Sequence, residues 1–399
     1  MKRGIRTRAG VLLCLLLVFL TGCSRTVMES ATGNPKKTQG SDIDREEQSA
    51  ISFEEENAGH FAYDRLSKVE QQWYEDINRV LAFRMEEEQE LSKEGIKKGL
   101  SEEDLDRIYN CVMMDHPEYF YVDGYEYTLY NRGSKLVGIK VSGQYMYDLQ
   151  ECLDRQAEIK EKVAEILALS PNYGGDYEKI KYVYEYIIHE TDYNALASDN
   201  QNIYSVFIQN ASVCQGYAKA AQYLLNRMGV ECGLVYGKVH SGESHSWNIV
   251  KADDAYYYMD TTWGDASYSM GGEILESGDA PEINYDYLCV TTSQIEKTHI
   301  MEEVVELPVC DSTEDNFYVR EGFYLEEYDQ YKLDGVFMKA LSMGGNVVTI
   351  KCASGEVFDL FFERLINNQE IFNYLSADYG GISYNVNEKQ LTLTFWVTN

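Results

Sequence analysis

Cys214 stands in Val213-Cys214-Gln215-Gly216-Tyr217-Ala218, His245 opens His245-Ser246-Trp247-Asn248, and Asp260 opens Asp260-Thr261-Thr262-Trp263. A thiol, an imidazole and a carboxylate suit nucleophilic acyl transfer. Sulfur attacks a carbonyl, the ring moves the proton, and the carboxylate holds the ring in one tautomer and stabilises its charged form. Singly, each residue has a plainer reading. Cys214 would be a small buried hydrophobe, His245 a ring satisfied by backbone near a sheet edge, and Asp260 a turn or cap residue. Their grouping in one compact segment favours the chemical reading.

These groups need elements to position them. Within 215–228, Tyr217, Ala221, Leu224, Leu225 and Met228 share one face and Gly229 follows as a stop, which predicts an amphipathic helix with Cys214 at its N-terminus. There the helix dipole and unpaired N–H groups favour the thiolate, and the same donors suit the oxyanion of a tetrahedral intermediate. Gly216 is expected to leave room for a substrate carbonyl. Three strand-like runs follow at 234–239, 244–250 and 255–260, separated by turns at Ser241-Gly242 and Ala252-Asp253-Asp254. Alternation puts His245, Trp247 and Ile249 on one face, and Asp260 on a face with Tyr258 and Tyr256. A turn centred between Ala252 and Asp253 would set His245 directly opposite Asp260, with Cβ atoms about 5 Å apart.

The three motifs, in this order and spacing, resemble the transglutaminase-like superfamily over roughly residues 177–265. The resemblance implies an α+β, papain-like core in which the cysteine helix packs on an antiparallel sheet. By the same motifs Cys214 is the nucleophile, His245 the general base and acid, and Asp260 the orienting carboxylate. Gln215, Gly216, Trp247, Asn248 and Trp263 are expected to line the cleft. The 205–210 stretch has no obvious match to a second oxyanion donor, which leaves Tyr204 and Gln209 as candidates. No acidic loop matches the calcium sites of animal members, so neither a metal nor another cofactor is expected.

Lys2, Arg3, Arg6 and Arg8 precede an apolar run at 11–20, much shorter than the roughly 20 residues of a membrane span. Leu20-Thr21-Gly22-Cys23 resembles a bacterial lipoprotein signal. That resemblance implies removal of residues 1–22, lipidation of Cys23, and an exported protein anchored to the outer face of the membrane. The formal charge is -31, and loss of the leader would make it four units more negative. With no long basic run, the chain is unsuited to nucleic acid.

Beyond the leader, 23–60 is polar and reads as a flexible tether. Residues 61–170 form an N-terminal region. Tyr63, Leu66, Val69, Trp73, Ile77, Val80 and Leu81 predict a helix, Ser101-Glu102-Glu103-Asp104 is a capping box, and His116-Pro117 ends the helix it starts. Strands at 119–130 and 136–145 and a helix at 149–169 follow. Residues 171–310 hold the catalytic candidates, beginning with a helix at 177–189 and including a surface loop at 268–279. Residues 311–399 suggest a small α/β module, with helix at 328–341, strand at 346–351, further helix through 374, and strands at 381–386 and 391–397.

Of nine cysteines, Cys14 lies in the leader. Cys23 apart, seven remain, without a Cys-x-x-Cys pair that would indicate structural zinc. Both buried thiols and up to three disulfides are open besides Cys214. His116, His189, His240 and His299 are scattered and read as structural. Thirty-three tyrosines would fill cores and interfaces, or offer faces on which sugars stack.

The expected activity is cysteine acyl transfer on amide bonds of peptides, proteins or cell-wall material. Hydrolysis is favoured over amine transfer, because water is abundant in an open cleft and no amine-binding feature is visible. The alternative is a catalytically silent binding or scaffold module at the cell surface.

Overall fold

The computed structural model describes residues 52–55, 60–171, 174–265, 282–342, 346–375 and 381–398. The leader, Cys23, most of the expected tether and the expected loop at 268–279 lie outside them. Among the described residues no helix is long and apolar enough to cross a membrane.

Helix α1 (Lys68–Ala82) carries Trp73, Ile77, Val80 and Leu81 inward at helical spacing. Helix α2 (Glu102–Asp115) begins as the sequence pattern predicts: Ser101 N–H donates to Asp104 Oδ2 at 2.8 Å. It stops before Pro117, whose ring disfavours helical backbone at His116. Strands β1 (Val122–Arg132) and β2 (Lys135–Tyr145) form an antiparallel hairpin, then come α3 (Leu149–Ala168) and α4 (Asp176–Glu190). Helix α5 (Cys214–Arg227) precedes β3 (Cys232–Val239), β4 (Ser244–Ala252) and β5 (Ala255–Met259). A single helical turn, α6 (Thr261–Gly264), follows β5, and β6 (His299–Glu302) returns to the sheet. Its strand order is β5-β4-β3-β6, antiparallel throughout.

One apolar core runs from Phe53 to Tyr318, so the N-terminal region and the segment bearing Cys214 are packed together. Gln222 of α5 donates to the Met114 carbonyl of α2 at 2.7 Å across this junction. Packing also reaches into the stretch expected to be tether. Phe53 is buried, and Glu55 accepts from the Tyr223 hydroxyl at 2.7 Å and pairs with Arg227. Burial of an aromatic ring and satisfaction of a carboxylate both oppose a free chain there.

A second core, from Leu325 to Phe395, belongs to the C-terminal module. Helices α7 (Gln330–Ser342) and α8 (Gly355–Phe362) pack with β7 (Val347–Cys352), β8 (Gly381–Asn387) and β9 (Thr392–Thr398). Many tyrosines serve as core side chains with paired hydroxyls; Tyr217 is fully buried and donates to the Thr191 carbonyl at 2.6 Å. The seven described cysteines are free thiols, six of them buried and Cys214 partly exposed.

Candidate active site

Cys214 is the first residue of α5, and Val213 at the N-cap supplies no side-chain hydrogen bond. The first-turn N–H groups of a helix lack intrahelical partners, so they present donors beside the sulfur. Gly216 has a different reason from the one expected. A Cβ there would sit 1.9 Å from Ser212 Oγ and 3.1 and 3.2 Å from the Asn200 and Asn202 carbonyls. The glycine therefore admits the protein's own preceding loop, not a substrate carbonyl. Val213 N–H donates to that same Asn200 carbonyl at 3.0 Å, which locks the entry to the helix.

The turn between β4 and β5 is Asp253-Asp254, with Ala252 paired to Ala255 and Asn248 to Met259. His245 is thus not directly opposite Asp260, as a turn one residue earlier would have made it. Continuing that register places Asp260 against Trp247, which makes His245 its diagonal neighbour, within reach of a long side chain. Strand β5 ends at Met259 and Asp260 becomes the N-cap of α6. Its Oδ1 accepts from Thr262 N–H at 2.9 Å and Trp263 N–H at 3.1 Å, while Oδ2 lies 2.7 Å from His245 Nε2. The cap interaction orients the carboxylate before the imidazole is considered.

The Cys214 side chain lies near enough to His245 to favour charge on its ring. Burial works against that charge, but Asp260, through its own charge and its hydrogen bond, together with Cys214 outweighs burial and pushes the pKa up to about 10. Burial likewise opposes ionisation of Asp260, yet charge on His245 and hydrogen bonds from two imidazoles hold its carboxyl far below the usual range. The arrangement favours an imidazolium between a sulfur and a carboxylate.

The second imidazole is His299, which sequence reasoning set aside as structural. It is buried on β6, with Nε2 3.0 Å from Asp260 Oδ2 and Nδ1 2.7 Å from Thr298 Oγ1. Only β6 pairing with β3, Val239 to His299, brings it in from 39 residues beyond Asp260. No local signal marks such a residue. His245, Asp260 and His299 offer three ligand atoms within 4.8 Å of one another, and the 2.7 and 3.0 Å separations are those of shared protons.

Other expected site residues divide. Gln215 and Trp263 are partly exposed beside Cys214 and Asp260, as cleft positions would be. Trp247 is wholly buried; its ring lies 5.9 Å from His245 and 4.9 Å from His299, so it backs the histidines and does not line an open cleft. Asn248 is also wholly buried. Its amide donates to the Ala218 carbonyl of α5 at 2.9 Å and the Gly233 carbonyl of β3 at 3.4 Å, joining helix to sheet. Alternation explains both corrections, because neighbours on a strand point to opposite faces and both faces of β4 are covered. Tyr204 donates to Glu158 at 2.7 Å and Gln209 to Ser198 at 3.4 Å, so both oxyanion candidates already have acceptors elsewhere in the protein.

Residues 167–261 match the family model described as the Transglutaminase-like superfamily. The helix bearing Cys214, packed on an antiparallel sheet, is the mixed architecture which that resemblance implied. Among solved structures, a TGase is 12% identical with a TM-score of 0.25, over 40% of this chain and 53% of its own. A provisionally assigned cysteine protease from Cytophaga hutchinsonii is 11% identical with a TM-score of 0.24, over 34% of this chain and 61% of its own. The periplasmic domain of TgpA from Pseudomonas aeruginosa is 14% identical with a TM-score of 0.23, over 34% of this chain and 58% of its own. The chain thus spans between 53% and 61% of the length of these three. A search of curated proteins found no match.

Proposed function

We propose, for a chain whose residues 167–261 match the model of the transglutaminase-like superfamily, that Cys214 is the nucleophile of an acyl-transfer enzyme acting on amide bonds. The observation that carries this reading is His245, held by Asp260 through Nε2 at 2.7 Å and favoured as the charged ring by the Cys214 side chain near it. The thiolate attacks the carbonyl carbon, and the oxyanion meets the free N–H groups at the start of α5. His245 then gives its proton to the departing amine nitrogen as the C–N bond breaks, leaving a thioester. Water adds to the thioester, His245 takes the water's proton, and the C–S bond breaks to release the acid and restore the thiolate. An amine in place of water would give a transferase by the same steps.

Hydrolysis is the favoured outcome, with peptides, proteins or cell-wall material as substrate. The leader pattern and Cys23 support an exported enzyme tethered to the outer face of the membrane by lipid. Activity-based labelling of the thiol and, on unlabelled protein, incubation with peptide and cell-wall fragments test the reading. Cys214→Ala should lose both labelling and turnover, and a variant with full activity on every cleaved substrate would refute it. The outward pairing of Tyr204 and Gln209 leaves a second oxyanion donor unassigned, which favours the rival reading of a silent binding module. Slow alkylation of Cys214, no faster than that of an ordinary thiol, would decide for that rival.

A further inference from the structure

Asp260 is saturated. An ionised carboxylate has about four lone-pair positions, and here Thr262 N–H and Trp263 N–H occupy Oδ1 while His245 and His299 both reach Oδ2. An ionised carboxylate only accepts, so Nε2 of His299 carries the hydrogen that lies on Oδ2. On a neutral ring Nδ1 is then an acceptor, and the Thr298 hydroxyl, 2.7 Å away, is its donor when its hydrogen turns there from the Ile295 carbonyl, 3.3 Å from the same oxygen. The charged groups facing His299 are Asp260 and, from β4, His245; Tyr287 is the further titratable group, its ring 5.8 Å distant, and the indoles of Trp247 and Trp263 close the remaining sides at 4.9 Å. Burial and the charge on His245 both oppose a second cation in this enclosure, and they outweigh the pull of Asp260.

The fold makes specific provision for this contact. On β3, Gly237 lies opposite His245 and beside Met301. A Cβ there would stand 2.2 Å from the Ile300 carbonyl and 2.6 Å from the Trp247 ring. The bare backbone at Gly237 lets the Trp247 ring lie against β3 as β6 closes on it, and this brings His299 to the carboxylate.

We infer that His299 is a positioning residue of the acyl-transfer site: a neutral imidazole that donates Nε2–H to Asp260, holds Oδ2 in place and limits how tightly that oxygen grips the His245 proton. The inference rests on the reading of Cys214 as nucleophile. A carboxylate that shares its charge between two donors is a weaker base toward each. Without His299, Oδ2 would act on His245 alone, the imidazolium would become less acidic, and proton delivery to the leaving amine would slow.

Two measurements on the full chain test this. In the unaltered protein, 15N-histidine NMR should find His299 neutral and in the Nε2–H tautomer between about pH 5 and pH 8; a charged ring or the Nδ1–H tautomer would overturn the inference. In the second, the pH profile of Cys214 alkylation by iodoacetamide is compared across variants. His299→Phe should move the alkaline limb upward by about half a pH unit or more, and His299→Gln, which restores an amide donor, should return it toward the parent value. Superimposable profiles for all three proteins would overturn the inference. Should His299→Phe fail to fold, the tautomer assignment decides alone. A Cys214 that is unreactive in the unaltered protein counts against the acyl-transfer reading, and the NMR result still decides the state of His299.

Discussion

Asp260 holds His245 with one oxygen and the start of α6 with the other: Oδ2 lies 2.7 Å from Nε2, while Oδ1 accepts from Thr262 and Trp263 N–H at 2.9 and 3.1 Å. One side chain therefore joins the stability of a helical turn to the protonation of the imidazole beside Cys214.

Asp260→Asn separates these roles. The amide oxygen can still cap α6, but the NH2 group meets two imidazole donors where a carboxylate accepted them. Alkylation of Cys214 near neutral pH should fall at least about tenfold, because the imidazolium loses its counter-charge. The alkylation rate constant, with circular dichroism confirming the fold, reads this outcome.

The same variant carries a signed pH dependence. The pKa of His245 is raised from its ordinary 6.5 to about 10, so its contribution to stability is full below about pH 6.5 and is lost as pH rises toward 10. Asp260 is held below its ordinary value, so its contribution is present above about pH 4 and is lost as pH falls. The stability gap between parent and Asp260→Asn should peak between about pH 4 and pH 6.5, at roughly 2–4 kcal/mol, and narrow on both sides. Urea unfolding midpoints across that range measure it.

Gly216→Ala should disturb the site from behind. Its new methyl would meet two backbone carbonyls and Ser212 Oγ, a hydroxyl held by Ser205 and the Asn200 carbonyl. A loss of about 1–3 kcal/mol is expected, together with slower alkylation as α5 shifts against its loop. Ser212→Gly in the same chain removes the hydroxyl but leaves the carbonyls, so thermal melting should show only partial recovery.

Asp286 links the two cores. Buried beneath β8 and β9, it accepts from Asn387 and Thr392, each at 2.8 Å, and from Tyr318 at 3.1 Å. Asp286→Ala strands these donors at a cost of about 2–4 kcal/mol. Limited proteolysis should then cut between the cores, near 319–324, at enzyme doses that leave the parent intact.

Chains beginning at residue 52 and at residue 61 should differ in stability by about 3 kcal/mol, in favour of the longer. The shorter chain lacks the buried Phe53 ring and the Glu55 contacts to Tyr223 and Arg227. Denaturant midpoints of the two chains decide, and equal values would show that the docked segment adds nothing.

Hydrophobic period, capping residues and breakers are local, so the helix behind Cys214, the strand bearing His245 and the strand that ends just before Asp260 could be read from the chain within a residue or two. Motif order likewise carried the family resemblance. Register was less legible. It depended on which two residues turn, and Asp253 adopts φ +49 so that Asp253-Asp254 forms the loop, a choice the three candidate turn residues left open. Alternation told which residues of β4 share a face, but not that both faces are covered, and so Trp247 and Asn248 were expected at a cleft from which burial removes them.

By itself, then, the chain of residues determined which groups could do chemistry and which local elements carry them, because helix period, strand alternation and cap chemistry act over a few neighbours. Only the tertiary structure decided that Asp260 reaches His245 along a diagonal, that Gly216 faces the protein's own carbonyls, and that His299 completes the carboxylate's shell. Those outcomes depend on strand pairing and enclosure between distant segments, and short-range spacing contains no record of them.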